Sequence, residues 1–127
     1  NSFNHYAYGA IGEWMYRRMA GIDTDPASPG YKHFRLAPVP STRIDSSNAV
    51  YESPYGKIQS SWKKEKTGYR YSFRIPPNSF ATLSLSHKKG EQLIINGVPA
   101  DATRLKWNGN ILSMDLGSGE YVITTNQ

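Results

Sequence analysis

Apolar and polar positions along the chain follow two different periods. From His5 to Ala20 the spacing predicts a helix, with Tyr8, Ile11, Met15 and Met19 recurring at intervals of three and four. Asn4 stands where an N-cap would, and Gly21 where a left-handed residue would end the helix. The other faces are apolar as well. Ala7, Ala10 and Trp14 lie off the stripe, Gly9 and Gly12 are small, and between Tyr6 and Tyr16 the only charged side chain is Glu13. A helix that is apolar nearly all round is buried nearly all round. Each interior glycine costs up to about 1 kcal/mol relative to alanine, which is best tolerated where another element packs close to the backbone. This helix therefore needs neighbours on several sides, and nothing after it reads as helices that could supply them.

Asp23 to Gly30 reads Asp-Thr-Asp-Pro-Ala-Ser-Pro-Gly, a connecting loop by composition, and the domain boundary falls there. Beyond it the period drops to two. Strands are expected over Tyr31–Leu36, Ala49–Glu52, Lys57–Lys64, Tyr69–Ile75, Phe80–Leu85, Gln92–Ile95, Ile111–Leu116 and Glu120–Thr125. The cleanest is the fourth, where Tyr69, Tyr71, Phe73 and Ile75 alternate with Arg70, Ser72 and Arg74. Turn residues punctuate the strands: Ser53-Pro54-Tyr55-Gly56, Lys66-Thr67-Gly68, Pro76-Pro77-Asn78, the type I′ pair Asn96-Gly97, and Trp107-Asn108-Gly109-Asn110. Gly117-Ser118-Gly119 is expected to close a hairpin between the last two strands. Seven or eight short strands at regular spacing predict an antiparallel β-sandwich. The fold class is thus mainly β, with one N-terminal α-helix ahead of the sandwich. The organisation is 1–21 helical segment, 22–30 linker loop, 31–127 sandwich.

Composition narrows the function classes. The 127 residues hold one domain, or one domain and a piece of another. Aromatics at 13% exclude a disordered tail, and the lack of cysteine excludes a disulfide scaffold, a zinc ribbon and a cysteine nucleophile. Fifteen Lys and Arg against ten Asp and Glu leave a net charge of +5, which raises the question of nucleic acid. The cations answer it by their distribution: Arg17-Arg18, Lys63-Lys64 with Lys66, and Lys88-Lys89 are far apart and mixed with acids, so they read as solvated surface and no nucleic-acid partner is expected. No apolar run approaches the roughly 18 residues of a membrane span, and no membrane partner is expected. The chain opens at Asn1 inside what reads as a motif, so it is expected to be a fragment. Localisation then follows the parent, periplasmic or secreted with a signal peptide and cytoplasmic without one.

Few residues carry chemistry. Asp23 and Asp25 lie on a Pro-rich loop with no third ligand nearby, which fits turn capping better than a metal or glycosidase pair. Gly117-Ser118-Gly119 is too short for a phosphate loop, and neither a Gly-x-Ser-x-Gly elbow nor a His-Glu-x-x-His occurs. No metal and no cofactor are expected. His33 reads as half-exposed packing beside Phe34, and His87, ahead of Lys88-Lys89, as solvated. His5 differs. It sits in the first turn of the helix, where free N–H groups and the positive dipole end disfavour the imidazolium. A neutral imidazole there can donate and accept, as a sugar hydroxyl requires, although capping or packing would also place it there. Tyr55, Tyr69, Trp62 and Trp107 are the aromatics that could stack on sugars, with core packing the competing role for Trp62 and Trp107.

Ser2-Phe3-Asn4-His5-Tyr6-Ala7, then Gly9 and Gly12-Glu13-Trp14, resemble the bacterial α-L-rhamnosidases, glycoside hydrolase family 78. Ala20-Gly21-Ile22, Pro29-Gly30-Tyr31-Lys32-His33-Phe34 and Tyr51-Glu52-Ser53-Pro54-Tyr55-Gly56 follow in the order of that family's carboxy-terminal region, and Gly117-Ser118-Gly119-Glu120-Tyr121 is also similar. The resemblance is specific over 2–56 and loose beyond. It implies an (α/α)6 catalytic barrel followed by a β-sandwich, with residues 1–21 as the last barrel helix. It implies a parent that hydrolyses terminal α-linked L-rhamnose with inversion, acting on rhamnose-containing glycosides or polysaccharides. The acid and base would lie upstream of Asn1, so no catalytic residue is expected here and the isolated fragment should be inactive. By the same match His5 occupies the position of a rhamnose-pocket histidine, binding substrate by hydrogen bonds. The sandwich would pack on the barrel, and without it the apolar helix would favour self-association. The alternative reading is a non-catalytic carbohydrate-binding sandwich; the all-round apolar helix favours the first.

Overall fold

The computed structural model describes residues 21–24 and 32–125. The helix expected over 5–20, and His5 with it, lies outside the described residues, as does the stretch 25–31. Among the described residues eleven strands occur: β1 Ile22–Thr24, β2 His33–Leu36, β3 Ser46–Ser53, β4 Gly56–Glu65, β5 Gly68–Ile75, β6 Phe80–Ser86, β7 Leu93–Ile95, β8 Val98–Pro99, β9 Lys106–Asn108, β10 Ile111–Leu116 and β11 Gly119–Thr125. A 3-10 turn, Ala102–Arg104, precedes β9. Sheet I has the order β1-β2-β6-β10-β9 and sheet II the order β3-β4-β5-β11-β7-β8. Every pair is antiparallel except β2 with β6, which run parallel with Phe34 opposite Ala81. The result is the expected β-sandwich with one parallel pair in it.

Alternation builds the core. Tyr71, Phe73 and Ile75 of β5 point inward while Arg70 and Arg74 face solvent. Ala81, Leu83 and Leu85 of β6, and Leu112, Met114 and Leu116 of β10, do the same from sheet I. Phe34, Leu36, Ile58, Leu83, Leu112 and Ile123 are fully buried, and Trp62 is 2% exposed. All belong to one apolar cluster drawn from both sheets. Burying such a side chain contributes about 1.5–3 kcal/mol.

Three expectations are corrected. The segment 22–30, expected as a linker loop, begins as β1, which pairs antiparallel with β2 and places Ile22 opposite Leu36. Ile22 is buried, and that burial outweighs the loop-forming neighbours after it. Gly21 makes the approach workable. Its φ is +71°, and an added Cβ would lie 2.1 Å from the Ala37 carbonyl carbon. The Ala37 N–H donates to Gly21 O at 2.8 Å. The second correction concerns Gly117-Ser118-Gly119. It closes no hairpin: β10 lies in sheet I and β11 in sheet II, so these residues carry the chain across the core from one layer to the other. Third, Trp107 and Asn108 are strand rather than turn, and Gly109-Asn110 alone join β9 to β10.

Candidate functional site

Surface depressions occur on both sheets among the described residues. One of about 400 Å³ lies where residues 37–40 meet Tyr69, Tyr71, Leu85 and Ile111. The second, about 310 Å³, lies over sheet II between Asn48, Gln59, Ser61, Ser72, Lys63 and Arg70. The third, about 450 Å³, lies over sheet I and is lined by Thr82, Thr103, Arg104, Lys106, Ser113, Met114 and Asp115. No group of three His, Cys, Asp or Glu that could hold a metal occurs among the described residues.

Sheet I presents a connected polar array. The His33 Nε2 lies 2.8 Å from Thr82 Oγ1, and the Thr82 hydroxyl donates to Asp115 Oδ1 at 3.0 Å. A hydroxyl has one proton to give. Thr82 gives it to the carboxylate and so accepts from His33, which places a proton on Nε2. That polarity is the reverse of a hydroxyl activated for attack, where the histidine would be the acceptor. Arg104 Nη2 donates to the Asp115 carbonyl oxygen at 3.1 Å. Asp101 begins the 3-10 turn. Its carboxylate accepts from the Thr103 N–H and hydroxyl at 3.0 and 2.8 Å, and these bonds hold its carboxyl below the usual carboxylate range.

On sheet II the acids sit beside cations: Glu65 with Arg70 at 3.1 Å, Glu52 with Lys57 and Glu120 with Arg74 each at 3.8 Å. These are exposed pairs and contribute little to stability. Burial, with the neighbouring Tyr69 adding to it, pushes the Tyr71 hydroxyl well above the ordinary tyrosine range.

The residues singled out in the sequence are not brought together. Asp23 is exposed on β1, while Asp25 lies outside the described residues. Trp62 is core, with its ring edge-on to Tyr69 at 6.0 Å. Tyr55 is exposed at the β3–β4 turn. His33 is half-buried, as expected, with its ring 4.5 Å from that of Phe80. His87 was expected to be solvated and is 2% exposed. The ring stacks over half-buried Trp107 at 6.0 Å, the His87 backbone N–H donates to Asn110 O, and the ring Nε2 bonds Glu91 O at 3.1 Å. Trp107, twenty positions on in sequence, covers it, and the adjacent lysines gave no sign of that. The residues missed are Phe80, Thr82, Asp115, Arg104 and Lys106. Strand parity held the signal for the first three: with Ala81, Leu83 and Leu85 inward, Phe80 and Thr82 must face out.

Residues 21–97 match the family model described as bacterial alpha-L-rhamnosidase C-terminal domain. A curated alpha-L-rhamnosidase of Formosa agariphila is 41% identical over 96 residues, covering 76% of this chain and 10% of the relative. Among solved structures, that of the Streptomyces avermitilis alpha-L-rhamnosidase complexed with L-rhamnose superposes with a TM-score of 0.75 at 28% identity, covering 95% of this chain and 11% of that one. An alpha-L-rhamnosidase from Dictyoglumus thermophilum shares the fold with a TM-score of 0.82 at 19% identity, over 94% of this chain and 14% of that one. The chain thus spans about a tenth of the length of the curated relatives it matches.

Proposed function

Because the chain belongs to the bacterial α-L-rhamnosidase C-terminal domain family, we propose that it is the carboxy-terminal sandwich of a larger enzyme that removes terminal α-linked L-rhamnose with inversion. The family match across β1 to the turn after β7 is the observation that carries this reading. The part played by the sandwich itself is structural. Inversion needs an acid carboxyl and a base carboxylate about 6.5–9.5 Å apart with a water between them. The acids of this chain that the structure engages do other work: Glu52, Glu65 and Glu120 pair with cations, Asp101 caps a turn and Asp115 anchors Thr82. The catalytic pair belongs to segments upstream of Asn1, and the sandwich packs on the barrel they form.

The resemblance over residues 2–14 supports His5 as a rhamnose-pocket residue that hydrogen-bonds a sugar hydroxyl. A hydroxyl that loses its partner costs about 1–3 kcal/mol. In the complete enzyme His5→Ala should lower kcat/KM on an aryl α-L-rhamnoside by roughly one to two powers of ten. Lys57→Ala, an exposed sheet II pair, should leave it within about twofold. The same substrate tests the larger reading. The complete reading frame should turn it over, and the 127-residue chain alone should not exceed a heat-treated control. Turnover by the chain alone, or none by the complete protein, would refute the reading.

A further inference from the structure

Among the described residues the outer face of sheet II carries the cations Lys57 and Lys63 of β4 and Arg70 and Arg74 of β5. Lys57, Arg70 and Arg74 each have a carboxylate beside them, in Glu52, Glu65 and Glu120. Lys63 makes no ion pair among the described residues. It stands instead directly opposite another cation, because the β4–β5 register pairs it with Arg70. Directly opposed side chains have Cβ atoms about 4.5–5.5 Å apart, and like charges so placed repel. Glu65 offsets only part of this. It lies 3.1 Å from the Arg70 Nε, and the two Nη groups meet no acceptor among the described residues. The pair is left one negative charge short.

The next outward positions on the same strands are small and polar. Ser61 and Ser72 are paired with each other, and Asn48 of β3 is paired with Ser61. Lys63, Arg70, Ser61 and Ser72 thus form a block of two strands by two outward positions, about 5 Å by 7 Å, with Asn48 one strand to the side. Short side chains beside long ones leave the depression of about 310 Å³ that all five line. Gln59 Nε2 donates to Asn48 Oδ1 at 3.0 Å, which fixes that amide and leaves its N–H groups to donate. The Ser61 hydroxyl reaches the Ser72 carbonyl at 3.4 Å and can still accept, and the Ser72 hydroxyl is unengaged among the described residues. A cation pair lacking an anion, at the rim of a hydroxyl and amide floor the size of one sugar ring, has a counterpart in a pyranose with a negative substituent. Ammonium and guanidinium give charge-assisted bonds to such a group. A neutral sugar would leave the cations opposed, and a bare anion would leave the floor unused. We propose that this depression over β3, β4 and β5 binds an anionic pyranoside, with Lys63 and Arg70 holding its carboxylate or sulfate ester and Ser61, Ser72 and Asn48 its hydroxyls.

The site does not depend on rhamnoside hydrolysis, so binding by this chain and turnover by the complete enzyme are read separately. The test is a ¹⁵N-resolved NMR titration of the 127-residue chain with methyl β-D-glucuronide and with D-glucose 6-sulfate. Methyl β-D-glucoside, sodium acetate and sodium sulfate run in parallel. At least one acidic sugar should give saturable shifts confined to β3, β4 and β5, and the stronger of the two tells carboxylate from sulfate ester. Lys63→Gln should weaken that binding about tenfold. Ser72→Val, which suits a strand and fills the floor, should do the same without lowering the melting temperature. Lys57→Gln, on the same face of β4 but about 20 Å from Lys63, should stay within about twofold. Absence of saturation by both acidic sugars would overturn the proposal. So would equal affinity for the glucoside or the simple salts, or an affinity unchanged in Lys63→Gln or Ser72→Val.

Discussion

Gly21→Ala should destabilise this domain far more than Gly97→Ala, although both glycines have positive φ, +71° and +81°. At Gly97 an added Cβ meets nothing within 4 Å, so the cost is the left-handed backbone alone, about 1 kcal/mol. At Gly21 the same atom would lie 2.1 Å from Ala37 C, 2.2 Å from Pro38 N and 2.4 Å from Ala37 O. Carbon atoms pack at about 3.5 Å, so backbone must move by more than an ångström, and close-packed interiors resist that. The cheaper response is to release β1. Its loss exposes Ile22, about 1.5–3 kcal/mol, and breaks the Ala37 N–H bond to Gly21 O, about 1 kcal/mol. The expected cost is therefore about 3 kcal/mol against about 1, or roughly 10 °C against 4 °C in Tm for a domain of this size. Urea melts followed by tryptophan fluorescence measure both. A second variant checks the route: Ile22→Ala alone should cost about 2–3 kcal/mol, but well under 1 in the Gly21→Ala background, where β1 is already free. Equal costs for the two glycines, or full additivity with Ile22→Ala, would refute the reasoning.

Other expectations follow from named contacts. Asn96 caps the β7–β8 turn and ties it to β11, its Oδ1 accepting from the Val122 N–H at 2.7 Å and its Nδ2 donating to Glu120 O at 3.4 Å. Asn96→Ala should cost about 1–2 kcal/mol, and Asn96→Gly, which suits the positive φ, should recover only part of it. Tyr71 has its pKa raised in the folded state, so the unfolded chain releases that proton first as pH rises through about 10. The stability it contributes is full below that pH and declines above it. Tyr71→Phe should flatten the alkaline limb of a Tm–pH profile, and an unchanged limb would argue against the assignment.

What could be read from the sequence was local. β3 to β6, β10 and β11 are long enough for alternation to declare them, and Asn96-Gly97 declared its turn, with φ of +51° and +81°. β1, β8 and β9 have two or three residues each, below any period. β1 stands ahead of a run of prolines and depends on Ile22 finding Leu36. The misreading of Gly117-Ser118-Gly119 has the same origin. A tight loop between two strands looks alike whether they pair or face each other across a core, and partner choice is decided by residues far away. The outer face of sheet I was legible in part. Parity gives Phe80, Thr82 and Asp115 their direction, but only the β2–β6 and β6–β10 registers bring His33, Thr82 and Asp115 into one array.

The place of β11 in sheet II has a consequence for biosynthesis. This strand, the last to be translated among those described, lies between β5 and β7. Its Ile123 pairs with Tyr71 on one side and Ile95 on the other. Until it leaves the ribosome, sheet II exists as two separate pieces, β3-β4-β5 and β7-β8, each showing an unpaired edge where β11 belongs. The nascent sandwich must therefore wait, its inner aromatic ladder of Tyr69, Tyr71 and Phe73 uncovered, for a step that comes after nearly all of it has been made. Domains completed by a late central strand fold slowly and are exposed to misassembly in that interval. A stop codon at Gly119, which removes β11 and all that follows it, should leave no trimmed sandwich, but an aggregating chain.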